Sequence, residues 1–164
     1  MKKVLIIKTG NAGNLRNIER IIKRFGLSFD YYSRGIDISN YYRVILPGLG
    51  NFRESIQYLE EDLDNIIEII SNIKTLGICL GMQILAKAGY EGEITNGLGL
   101  VDGEVVRIPS LYQSPHIGWN TVINDHNSDL FKGIDENDKF YFMHSYELIN
   151  YNNNIALTKY NDHT

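Results

Sequence analysis

The chain has 164 residues, 43% hydrophobic and 22% charged, with a formal net charge of −4 at neutral pH. That is the size and make-up of one globular domain, residues 1–164, able to bury a substantial core. The slight acidity and the lack of a dense Lys/Arg cluster argue against a nucleic-acid footprint, and no apolar run approaches membrane length.

The single cysteine precludes an internal disulfide and suits a reducing compartment. The apolar run after Lys2 and Lys3 is four residues, too short for a signal peptide, so a cytoplasmic location is expected. That run, residues 4–7, is β-branched and predicts the first strand of a parallel sheet. The loop at 9–14 holds only Gly10 and Gly13, which is not dinucleotide-cradle spacing, and is read as a plain strand-to-helix turn. Leu15, Ile18, Ile21, Ile22 and Phe25 then recur at helical steps as one apolar face, with Gly26 as the stop.

A second strand is predicted at 29–32 and a third at 43–46. The third runs directly into Pro47, Gly48, Leu49 and Gly50. One long helix is expected over about 52–73, with apolar residues at 56, 59, 63, 66, 67, 70 and 73. Its opposite face carries Glu60, Glu61, Asp62, Asp64 and Glu68, a solvated surface.

Residues 76–78 predict the end of a buried strand, and 82–88 a short helix closed by Gly89. Between them Cys79 stands two residues from Gly77 and two from Gly81, the spacing of a nucleophile elbow with sulfur in place of oxygen. Small neighbours let strand and helix approach a turning residue held in a strained conformation. The following helix N-terminus favours a thiolate there, and the Leu80 N–H points to where an oxyanion would form. A buried, inert cysteine is the competing account of the same pentapeptide.

The first half thus alternates strand and helix, predicting an α/β open sheet, mostly parallel. In such sheets ligands bind beyond the carboxyl ends of the strands, where both Cys79 and the 47–50 stretch fall. In the second half 97–100, 103–108, 121–123, 139–146 and 155–160 are read as short strands, an antiparallel extension. The Pro- and Gly-containing segment 115–120, with the sole tryptophan, is read as a shaped loop or contact surface.

A cysteine nucleophile wants a histidine base oriented by a third group. His126 and His163 are expected to be exposed, and His116 to belong to the tryptophan loop. His144, after an aromatic strand, is the best partner by spacing; a structural role for it is equally open. No His, Cys or acidic pair has metal-ligand spacing.

Six segments together resemble the class I (triad-type) glutamine amidotransferases. They are Gly13-Asn14-Leu15, the Leu-Pro-Gly-Leu-Gly run 46–50, Gly77 through Gln83, Gly97-Leu98-Gly99-Leu100 with 103–106, the Pro-His-Ile-Gly-Trp-Asn run 115–120, and the aromatic run 140–146 ending in His144, Ser145 and Tyr146. The 115–120 and 140–146 segments resemble the branch of glutaminase subunits in imidazole glycerol phosphate synthases of histidine biosynthesis.

The resemblance implies a flavodoxin-like sheet and a glutaminase. Cys79 would attack the glutamine side-chain amide, and the Leu80 and Leu49 N–H groups would form the oxyanion hole. Gly48, Gly50 and Gln83 would hold the glutamine, with His144, Ser145 and Tyr146 at its amino-acid end. No cofactor is implied. Ammonia would pass to a (β/α)₈-barrel synthase partner, toward which Trp119 and Asn120 would lie.

Two departures accompany the resemblance. The family's late His-Pro-Glu segment has no match, so the sequence is expected to stop before the catalytic His–Glu dyad and final helix. Thr9-Gly10-Asn11 replaces the usual acidic and aromatic residues and, together with Gly89-Tyr90-Glu91-Gly92-Glu93, resembles paralogues that supply ammonia to sugar amidotransferases of surface polysaccharide synthesis, the alternative reading of the acceptor. A non-catalytic subunit, or another cysteine hydrolase with His144 as base, are the rival readings.

Overall fold

The computed structural model describes residues 3–10, 15–112, 114–124, 128–152, 154–161 and 163. His126, Gly13 and Asn14 lie outside them.

Four strands, β1 (Lys3–Ile6), β2 (Phe29–Tyr31), β3 (Tyr41–Gly48) and β4 (Thr75–Cys79), form a sheet in the order β2-β1-β3-β4. Every pairing in it is parallel. Alternation along β1 decides which helix covers which face. Val4 and Ile6 pack with Ile22, Leu15 and Ile18 of helix α1 (Leu15–Arg24), while Leu5 and Ile7 join Val44 and Leu46 beneath the helices on the other side. Burying each such aliphatic side chain is worth roughly 1.5–3 kcal/mol. Only part of the expected α1 face is used, because Ile21 and Phe25 point to solvent.

The long helix expected at 52–73 is broken. Helix α2 (Phe52–Leu59) and helix α3 (Leu63–Asn72) are separated by a 3₁₀ turn at Glu60–Asp62. Asn51 caps α2, its side-chain oxygen accepting from the Arg53 and Glu54 N–H groups. At the break Asp62 accepts from the Tyr32 hydroxyl, from Asn65 and from Arg34, so tertiary partners on the β2 side outweigh the helical period.

The segment after Cys79 also differs from expectation. Helix α4 (Leu80–Gln83) is a single turn, and Ala86–Gly89 is strand β5. Hydrogen bonds explain it: the Leu98 and Gly99 N–H groups take the Ile84 and Ala86 carbonyls, which a continuing helix would have used itself. Gly89 is no helix stop. A Cβ there would lie 2.6 Å from the Phe52 ring, so the glycine seats that buried ring.

Strands β6 (Thr95–Asn96), β7 (Val101–Arg107) and β11 (Tyr146–Ile149) complete a second sheet, β11-β7-β5-β6. It is mixed, since β5 runs parallel to β7 while the other two pairings are antiparallel. Residues 97–100, expected as a strand, form none. The segment expected as a loop is strand β8 (His116–Thr121), paired antiparallel with β10 (Lys139–His144). A small ribbon of β9 (Ile123–Asn124) and β12 (Ala156–Leu157) lies beyond.

Candidate active site

The site is built from glycines. Cys79 ends β4 at φ +54°, ψ −119°, the conformation the two-glycine spacing anticipates. A Cβ on Gly81 would stand 1.7 Å from the Leu46 carbonyl oxygen, and one on Gly77 2.6 Å from the Met82 Cα. Only hydrogen at these positions lets the turn of α4 lie against β3, at Gly81, and against β4, at Gly77. A Cβ on Gly48 would likewise meet the Gly81 nitrogen at 2.3 Å.

The same contact brings the Pro-Gly stretch to the thiol. Gly48 is the Cα partner of Cys79 in the β3–β4 ladder, so Leu49 and Gly50 follow beside the thiol. Leu49 is 48% exposed and Gly50 has φ +120°, backbone freedom that a side chain would deny. Leu80 opens α4, where first-turn N–H groups lack intrahelical acceptors. The start of this bend is pinned from the segment after β1: buried Thr9 donates its hydroxyl to the Pro47 carbonyl at 2.7 Å.

Cys79 is exposed rather than entombed. So are its strand neighbours Leu76 and Ile78, contrary to the buried strand expected, because β4 is the edge of its sheet and no described element covers its outer side. The thiol opens into a cleft of about 560 Å³ that Gln83, His116, His144, Tyr146 and Glu147 also line. Four of the sequence-predicted site residues, Cys79, Gln83, His144 and Tyr146, therefore meet in one place. Among the described residues Ser145 does not line it, and its carbonyl accepts from the Ile108 N–H.

Gln83, nearly buried, donates its side-chain amide to the Tyr146 carbonyl at 3.3 Å. His144 Nδ1 lies 2.9 Å from that carbonyl, and its Nε2 is 3.1 Å from His116 Nδ1. Both of its ring nitrogens are thus engaged, which removes it from the role of base for the thiol. His116 is 3% exposed, stacked between Phe142 and Tyr160 with centroids 4.7 and 3.9 Å away. Burial, and then the facing His144, push its pKa down. His163 is not exposed as expected: it lines the cleft, stacks on Tyr112 at 4.5 Å and places Nε2 2.5 Å from Glu147. Neither histidine contact could be foreseen from spacing, since the partners lie 28 and 16 residues apart in the chain.

Trp119 and Asn120 separate. Trp119 is 68% exposed, edge-on to Tyr141 at 5.5 Å, and with Ile117 and Met143 makes an exposed apolar patch on the β8–β10 ribbon. Asn120 turns to the cleft side, donating to the Lys159 carbonyl at 2.7 Å.

A model of the family "Glutamine amidotransferase class-I" matches residues 11–164. The chain belongs to that family. Among curated amidotransferases it is similar to imidazole glycerol phosphate synthase subunit HisH 1 of Methanococcus maripaludis, 38% identical over 144 residues, covering 84% of this chain and 71% of that protein. The HisH subunits of Aquifex aeolicus and Pyrococcus furiosus are each 36% identical over 96% of the chain, which spans 77% and 78% of their lengths. The amidotransferase fold is likewise that of solved structures. A glutamine amidotransferase of Thermotoga maritima superposes with TM-score 0.65 at 24% identity, covering 90% of this chain and 62% of that one. The PurLQS structure of the same organism gives 0.63 at 18%, covering 96% and 75%. At such identities these two amidotransferase structures speak for the fold alone.

Proposed function

We propose that this amidotransferase is a glutaminase subunit of imidazole glycerol phosphate synthase, acting in histidine biosynthesis as a single domain over 1–164. The observation that carries the reading is Cys79, presented to solvent on a positive-φ elbow with the 48–50 bend in register beside it. The HisH names of its relatives give the acceptor pathway.

The steps follow from these groups. The Cys79 sulfur adds to the side-chain amide carbon of glutamine, and negative charge develops on the amide oxygen. The N–H groups of Leu80 and Leu49 face that charge, the second after the Gly48–Leu49 peptide turns. The proton lost by the thiol passes to the amide nitrogen, the C–N bond breaks and ammonia leaves, with a γ-glutamyl thioester remaining on Cys79. Water adds to the thioester, the C–S bond breaks, and glutamate and the thiol are released. Gly48, Gly50 and Gln83 hold the substrate, with His144 and Tyr146 at its amino-acid end, while Ser145 stays outside the cleft with its carbonyl taken by the Ile108 N–H. None of these steps draws on a cofactor.

Among the described residues His144 is engaged at both ring nitrogens and His163 is tied to Glu147, so neither is assigned the proton of the thiol. The apolar patch around Trp119 and Tyr141 supports docking of a synthase subunit, which we take to be a (β/α)₈ barrel, since aromatic residues anchor such interfaces. Glutamate formation measured alone, then with a histidine-pathway barrel synthase, tests this: the rate should rise. A rise only with a sugar-pathway synthase would move the acceptor to surface polysaccharide synthesis, and no rise with either would sink the subunit reading.

A further inference from the structure

Behind Gln83 the structure holds a chain of four polar groups whose proton directions are fixed at one end. Asn120 has its amide orientation set twice, its Oδ1 accepting from the Thr121 N–H at 2.9 Å and its Nδ2 donating to the Lys159 carbonyl at 2.7 Å. The second hydrogen of that Nδ2 faces His116 Nε2 at 3.5 Å. A donor in that place makes His116 Nε2 an acceptor, which puts the His116 proton on Nδ1. His116 Nδ1 then donates to His144 Nε2, 3.1 Å away, and His144 carries its own proton on Nδ1, donated to the Tyr146 carbonyl at 2.9 Å.

The far end agrees independently, since a backbone carbonyl can only accept. That carbonyl also receives the Gln83 amide. The surroundings favour a neutral pair: His116 is 3% exposed between the Phe142 and Tyr160 rings, and a second proton on either imidazole would set donor against donor.

We propose that Asn120, His116 and His144 form a neutral, one-directional relay that fixes the Tyr146 carbonyl and through it the Gln83 side chain, making His116 and Asn120 positioning residues for glutamine. Gln83 sits one turn after Cys79, so its amide is anchored from a different sheet than the nucleophile. The functional half rests on the glutaminase reading; the tautomers do not.

The test has two arms. Long-range ¹⁵N–¹H correlation spectra of the unaltered protein at pH 7.5 should show His116 and His144 neutral with protons on Nδ1. A ring found charged, or protonated on Nε2, overturns the relay. In the second arm Cys79 is alkylated with iodoacetamide under increasing glutamine. His116→Phe keeps a stacking ring but removes the donor, and should raise the glutamine concentration needed for protection about five- to tenfold. Protection is read as the ratio of its alkylation rates with and without glutamine, and His116→Asn, which can place an amide donor near Nδ1, should restore it. Unchanged protection in His116→Phe overturns the positioning role. If glutamine fails to protect even the unaltered protein, the glutaminase reading falls, and the tautomer spectra still decide the relay.

Discussion

Gly48 and Cys79 are Cα partners at the carboxyl ends of two adjacent parallel strands. This pairing places a glycine-flanked bend against a thiol held at positive φ, and it depends on three glycines having no side chain.

Gly81→Ala should be among the most damaging single changes in the chain. Its Cβ would stand 1.7 Å from the Leu46 oxygen, a clash with backbone that no rotamer relieves. Overpacking of this kind costs about 3 kcal/mol or more, which for a chain of this size lowers Tm by about 6–12 °C. Thermal unfolding followed by circular dichroism checks this, and an unchanged Tm would show that α4 does not lie against β3.

Thr9→Val tests the pin on the 47–50 bend. The substitution keeps the shape but leaves the buried Pro47 carbonyl without its donor. The expected cost is about 1–3 kcal/mol, or about 2–12 °C in Tm, with slower reaction of Cys79 toward glutamine analogues. Thr9→Ser, which retains the hydroxyl, should recover most of the loss. Equal behaviour of the Ser and Val variants would deny the hydroxyl any part.

The buried His116 should make stability sensitive to acid. Its folded-state pKa lies below the ordinary value near 6.5, so the unfolded chain binds the proton more readily. The neutral ring's contribution is therefore complete above about pH 6.5 and is lost as pH falls from there toward the folded-state value. The groups around it, His144, Asn120, Phe142 and Tyr160, offer no negative charge to offset the proton. The Tm advantage of the unaltered protein over His116→Phe should shrink between pH 7 and pH 5; a constant difference would contradict this.

Much of the site could be read in the residues because its geometry is written in local spacing. Gly77, Cys79 and Gly81 specify the elbow within five positions, and Pro47 to Gly50 announce a bend at a strand end. What escaped was decided by tertiary partners. The 3.6-residue period runs unbroken through 60–62, yet Asp62 turns to Tyr32 and Arg34. Ala86 and Ala88 favour helix, yet 97–101 captures the carbonyls that helix needs. Exposure of Leu76 and Ile78 follows from their place on an edge strand, which composition does not reveal. The His116–His144 contact joins residues on two paired strands and leaves no local trace.

The central claim is that Cys79 is a nucleophile matched to glutamine, and a glutamine-derived chloroketone measures it most directly. Incubation followed by intact-mass and peptide analysis should give one adduct, located at Cys79 and blocked by free glutamine. A thiol that stays unmodified, or reacts at the same rate with and without glutamine, would contradict the account.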